Sequence, residues 1–172
     1  TKEDIIHYFN IDDQKIKVIY QSCHENFIRC NNNGILSNEI QNELDKPYIL
    51  YVGSVEERKN LLFLLQGLKH IKEVRLICVG KKMKYYKKVN EFIYNNNLND
   101  RVSFLNVRDS RELSLIYQKS RGLVFPSEDE GFGIPIIEAM YSRVPVVTSD
   151  KSIFKEIAGA NSYFFEENKI DS

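Results

Sequence analysis

Two carboxylates with seven residues between them and glycines in that gap are the feature of this sequence best suited to chemistry. Glu130 and Glu138 flank the run Gly131-Phe132-Gly133-Ile134-Pro135-Ile136-Ile137. Glycines allow backbone N–H groups to approach a phosphate, and a helix N-terminus adds a partial positive charge. Pro135 suits the first position of such a helix, because its missing N–H costs nothing there. Glu130 then belongs to a loop and Glu138 lies about one turn into the helix, so that both can face one ligand from different sides. The alternative is a helix start whose acidic neighbours merely complement the helix dipole. On the residues alone the two readings stand even.

A second constellation is Gly53-Ser54-Val55-Glu56-Glu57-Arg58-Lys59-Asn60-Leu61. Arg58 and Lys59 stand just before a leucine-rich helical pattern, where cations oppose the macrodipole. An anion bound there would account for them. A pair of exposed surface cations is the competing explanation, since isolated surface charges cost little.

The elements that must position these groups alternate. Tyr48–Val52, 74–79, 102–105, 122–125 and 144–147 read as short apolar strands. Between them lie a helix from Asn60 with Leu61, Leu64, Leu65 and Leu68 on one face, and a lysine-rich helix over 82–95. A third helix opens at Asp109 with Glu112 as a capping box and runs through Ser120. Strand and helix in alternation with no repeat or long linker predict a doubly wound, Rossmann-like α/β domain with a parallel sheet. Ligands of such sheets sit at the carboxyl ends of the strands, where both constellations fall. Before this unit, 1–9 predicts a helix, 15–20 a half-buried strand, 31–34 a polar loop and 38–44 a short helix. After it, 162–165 is strand-like.

Composition narrows the function. Twenty-four basic residues balance twenty-four acidic ones, which removes any general pull towards nucleic acid or an anionic membrane. Cys23, Cys30 and Cys78 cannot all pair, and Cys78, in an apolar run, is expected to be a small buried hydrophobe. No metal-type spacing links the cysteines with His7, His24 and His70. No apolar run approaches membrane-spanning length and no signal-peptide pattern is present, so a cytoplasmic location is expected. The first residue is Thr1 rather than methionine, and a fragment is expected.

The stretch 126–147 resembles the signature of group 1 glycosyltransferases, retaining enzymes of the two-domain GT-B architecture. Their pattern P-S-x-x-E-G-F-G-x-P-x-x-E-A-M, followed by G-x-P-V-V, is met by Pro126, Ser127, Glu130, Gly131, Phe132, Gly133, Pro135, Glu138, Ala139, Met140, Pro145, Val146 and Val147. The place of the usual glycine before P-V-V is taken to be Val144, a matter of packing rather than chemistry. Gly53 to Asn60 resembles the family's phosphate-binding segment, with Ser54 where many members carry another arginine.

This resemblance implies transfer of a sugar from a nucleoside diphosphate sugar to an acceptor hydroxyl. Arg58 and Lys59 would stabilise the leaving diphosphate, Glu130 would hold the transferring sugar, and Glu138 would bind the ribose hydroxyls. Gly53, Phe132, Gly133 and Ile134 would line the donor, and Val107, in the loop after the third strand, would meet the base. It further implies that the bare nucleotide is indifferent to Glu130. No metal or other cofactor is implied. The chain would be one donor-binding domain over 1–172, the carboxyl half of a GT-B enzyme, with 1–45 leading in from an acceptor domain not included here. The acceptor, a saccharide or lipid-linked saccharide, would come through that domain. Surface polysaccharide or lipopolysaccharide assembly at the inner face of a membrane would be the setting.

Three other readings compete. Glu128-Asp129-Glu130 could hold Mg²⁺ or Mn²⁺ with substrate phosphates. The chain could be a nucleotide-sugar binding module that catalyses nothing by itself. A flavodoxin-like regulatory or cofactor domain would share the fold without the activity.

Overall fold

The computed structural model describes residues 2–28, 36–166 and 169. The five apolar runs become strands β1 (Tyr48–Val52), β2 (Arg75–Val79), β3 (Val102–Leu105), β4 (Leu123–Phe125) and β5 (Val146–Ser149), and β6 (Tyr163–Phe165) follows. They form one six-stranded sheet in the order β3-β2-β1-β4-β5-β6, parallel at every pairing. The winding reverses between β1 and β4, which places the carboxyl ends of these two strands side by side at the switch point.

Alternation along β1 divides the core, because successive side chains of a strand point to opposite faces. Tyr48, Leu50 and Val52 join the larger cluster, under α3 (Asn38–Leu44), α6 (Ser110–Lys119), α7 (Ile134–Tyr141) and α8 (Ser152–Ala158). Tyr51 joins the other cluster, under α4 (Leu61–Leu68) and α5 (Tyr86–Asn95). Cys78 is buried in this second cluster, as its apolar neighbours require. Helices on both faces of a parallel sheet make the expected doubly wound domain.

Side-chain caps fix the starts of α3 and α6. Ser37 accepts from the N–H of Ile40 at the start of α3, and Asp109 accepts from Arg111 and Glu112 at the start of α6. The Glu112 carboxylate reaches back one residue further than in a capping box, accepting the N–H of Arg108 at 2.8 Å. Helix α5 begins at Tyr86, later than the lysine pattern from 82, because Lys82 is held in a bridge to Val55.

Three expectations are corrected. The strand placed over 144–147 runs instead over Val146–Ser149, because Val144 closes the preceding helix. The Val144 N–H donates to Ala139 O and the Arg143 N–H to Met140 O, with Arg143 at φ +58°. These bonds form a Schellman motif, whose left-handed residue is usually glycine. The glycine of G-x-P-V-V therefore corresponds to Arg143, not Val144, and its loss is a matter of backbone conformation.

The half-buried strand over 15–20 is absent. Asp13–Lys15 is a 3-10 turn, and 16–20 runs outside any strand, with Val18 and Ile19 exposed. Both neighbours of β1 are already β2 and β4, so this segment finds no ladder there. The amino-terminal helix α1 (Lys2–Phe9) and a short α2 (Glu25–Ile28) complete the lead-in, while the polar loop expected over 31–34 lies outside the described residues.

Candidate functional site

The residues after β1 fold back at once. Glu57–Lys59 forms a 3-10 turn, and Asn60 takes a left-handed conformation, φ +50°, before α4 starts. Asn tolerates that region better than most residues. The turn directs Arg58 and Lys59 sideways towards the loop after β4, and the two loops are bonded to each other. The N–H of Glu128 donates to Arg58 O at 2.9 Å, and Arg58 Nη1 donates to Asp129 O at 3.0 Å.

This contact brings the predicted catalytic residues together. Lys59 Nζ donates to Glu130 Oε1, and Arg58 Nη1 lies 3.6 Å from Glu130 Oε2. Lys59 is 9% exposed, and the Glu130 side chain is 13% exposed. A charge so deep is retained because its partner is there too. Arg58 is half-exposed and is oriented from its other side. The Ser54 hydroxyl donates to Glu56 Oε1 at 2.6 Å, and Glu56 Oε2 accepts from Arg58 Nε at 3.2 Å. The Ser54 bond, followed by the charge of Arg58, holds the Glu56 carboxyl below its ordinary pKa. Ser54, where the resemblance led one to look for arginine, thus indirectly positions the arginine that is present.

Ser127, fully buried, was matched in the motif but given no role from sequence. Its hydroxyl lies 3.2 Å from Glu130 Oε1, Asp129 O and Arg58 O, and Ser149 donates to its carbonyl at 2.6 Å. It joins three elements below the ion pair. A small hydroxyl after Pro126, at the end of a buried strand, was the available signal.

Glu138 stands apart from this cluster. On α7, it accepts from the Tyr117 hydroxyl at 2.9 Å. Burial raises its carboxyl pKa, and the Tyr117 bond partly counters that rise. Gly133 caps α7 at φ +105°, a conformation that favours glycine, and no side chain caps the helix start. Ile134, 39% exposed, is the first residue of α7, and Pro135 takes the second position. Gly53 follows β1, and Lys59 methylenes lie within van der Waals contact of the position a Cβ would take. Val107 is partly buried and packs towards the larger core cluster, so its loop presents backbone and the exposed Asn106 rather than the valine side chain.

Phe132 faces another feature. Its ring lies 6.0 Å from that of Tyr20, whose hydroxyl donates to Glu156. Two clefts, about 490 and 670 Å³, meet at Tyr20, Phe132 and Glu156. Arg58, Lys59, Glu130 and Glu138 line neither of these two clefts.

Among the described residues no three His, Cys, Asp or Glu side chains converge to hold a metal ion. Glu130, the last member of the proposed carboxylate cluster, is turned to Lys59 and Arg58 instead. No helix among the described residues is long and apolar enough to cross a membrane.

The chain is similar to known proteins. The family profile described as glycosyl transferases group 1 matches residues 34–172. The O-antigen chain mannosyltransferase RfbU of Salmonella typhimurium is 35% identical over 158 residues, covering 91% of this chain and 42% of its own length. This chain thus spans less than half of that relative. Among solved structures, WaaG, a glycosyltransferase involved in lipopolysaccharide biosynthesis, superposes with a TM-score of 0.79 at 18% identity, over 96% of this chain and 47% of its own. HepE of Anabaena, solved in complex with UDP-glucose, gives 0.69 at 19% identity, over 88% and 41%. These two likenesses are of fold.

Proposed function

Because the chain belongs to the group 1 glycosyl transferases, we propose that it is the donor-binding half of an enzyme that transfers a sugar from a nucleoside diphosphate sugar to an acceptor hydroxyl. The observation that carries this reading is the meeting of Arg58 and Lys59, from the loop after β1, with Glu130, from the loop after β4. Two cations at the carboxyl edge of a parallel sheet suit a diphosphate. The uncapped start of α7 behind Gly133 adds N–H groups and the positive end of a helix dipole.

Breaking the bond between sugar and phosphate leaves negative charge on the diphosphate. Fixed positive charge already in place stabilises that transition state without reorganisation. Glu130 engages both cations. A diphosphate would replace it on Lys59 and Arg58, and the released carboxylate could then accept hydrogen bonds from hydroxyls of the transferring sugar. Glu138 would take the ribose hydroxyls, and the loop at Asn106 and Val107 would meet the base through backbone groups. Arg58 and Lys59 offset two charges of the diphosphate, and no metal is part of the proposal. Retention of configuration and an acceptor delivered by a second domain complete the reading, and peripheral association with a membrane belongs to the same proposal. RfbU supports surface polysaccharide assembly as the setting and mannose as the first sugar to test.

Calorimetry with UDP, GDP and inorganic pyrophosphate, with and without a chelator, tests the binding half of this reading. At least one nucleotide should bind in chelator, and Lys59→Met should weaken both it and pyrophosphate. Binding that disappears in chelator would instead assign the acidic triplet to a metal.

A further inference from the structure

Tyr117 is a polar side chain at the centre of an apolar contact. It is fully buried on α6, and Phe27 of α2 meets its ring edge-on at 5.5 Å. Phenylalanine would fill the same space, and a buried hydroxyl is costly unless bonded. The Tyr117 hydroxyl lies 2.9 Å from Glu138 Oε2 and 3.3 Å from Pro135 O. A phenol has one proton to donate. The shorter contact, to a carboxylate, assigns that proton to Glu138.

A glutamate one turn into a helix otherwise has three side-chain torsions to fix when it binds a ligand. Here a rigid, buried partner on the neighbouring helix fixes one oxygen in advance. Pre-organisation of this kind lowers the cost of binding without adding a contact to the ligand.

We propose that Tyr117 is a positioning residue for ribose recognition, engaging Glu138 Oε2 so that Oε1 is presented to the vicinal hydroxyls of a nucleoside diphosphate. The proposal rests on the assignment of Glu138 to the ribose. Tyr117 touches no donor atom itself. Its hydroxyl acts only through the carboxylate, so its loss should be felt only by ligands that carry ribose hydroxyls.

The test measures the affinities of UDP and GDP, of their 2′,3′-dideoxy counterparts, and of inorganic pyrophosphate. Wild-type protein should prefer the ribose form of whichever nucleotide it binds. Tyr117→Phe should reduce that preference about 5- to 10-fold, the worth of one ordinary hydrogen bond, because the tyrosine only positions the carboxylate, and leave dideoxy and pyrophosphate affinities unchanged. Tyr117→Phe in a Glu138→Gln background should change the preference little, because the group it acts through is already altered.

If Tyr117→Phe keeps the full preference, the hydroxyl merely joins α6 to α7 and the proposal is overturned. A fall in pyrophosphate affinity would overturn it too, since the damage would then be general. If wild-type protein has no ribose preference, the assignment of Glu138 fails and the proposal fails with it.

Discussion

Replacing Glu130 with glutamine should tighten the binding of a bare diphosphate. The carboxylate holds Lys59 and lies 3.6 Å from Arg58, so it competes with a phosphate for both cations. A phosphate seated between those cations would remain roughly 5 Å from the displaced carboxylate. Two like charges at ~5 Å repel by ~0.8 kcal/mol in bulk water and ~3 kcal/mol at the effective dielectric of a protein surface. The Glu130 side chain is 13% exposed and that of Arg58 47% exposed, which places the site between these limits. The relief should be ~1–2 kcal/mol, or about 5- to 30-fold in affinity. Glutamine keeps the shape and an oxygen for the Ser127 hydroxyl, now 3.2 Å away. Calorimetry with inorganic pyrophosphate at two salt concentrations reads the effect, and the gain should shrink as salt screens the repulsion. Unchanged or weaker binding would refute the reasoning. The ion pair thus alters the expectation that bare nucleotide is indifferent to Glu130. Gain for a nucleotide sugar should be smaller, because the carboxylate removed is the one proposed to hold the sugar.

Lys59→Met leaves Glu130 deep in the site with only a half-exposed arginine nearby. It should cost ~1–3 kcal/mol, between the figures for exposed and buried pairs, and adding Glu130→Gln should restore most of the loss in a thermal melt. Glu138→Gln should separate stability from binding. Burial raises the pKa of Glu138 in the folded state, so its contribution to stability is full below the ordinary carboxylate pKa and is lost as pH rises through the folded value. The variant should therefore melt higher than wild type at neutral pH, while wild-type nucleotide affinity falls as pH is lowered through that raised value. A melt at neutral pH no higher than wild type would contradict this sign. Arg143→Gly removes a side chain from a left-handed position and should gain ~0.5–1 kcal/mol net of the extra freedom of unfolded glycine, or roughly 1–4 °C in melting temperature. A lower melting temperature would show that the Arg143 side chain contributes more than its backbone costs.

Much of the sheet was legible because buried strands are short apolar runs with hard stops. β1 ends at Gly53, β3 occupies the expected residues, and α3 starts at its serine cap. The candidate site residues stood out because the crossovers after β1 and β4 open with residue types that a packed loop does not need. The pairing of Lys59 with Glu130 was not legible, since neither the turn at Asn60 nor the order of strands is written in local periodicity. Tyr117 was hidden for a similar reason. On an apolar helix face a buried tyrosine reads as a large hydrophobe, and only the position of α7 gives its hydroxyl a partner. The missing strand over 15–20 shows the reverse error. Alternating lysine with isoleucine and valine states that a segment can pair, not that it does.

The bond between the loops after β1 and β4 joins residues 71 positions apart. It forms only where the first and fourth strands lie side by side, after two intervening crossovers have been laid down on the other side of β1. No subset of consecutive elements that omits either strand contains both the cations and the carboxylate. The candidate binding surface therefore rests on contacts distant in sequence, and a diphosphate held there would clasp the seam between the two halves of the sheet.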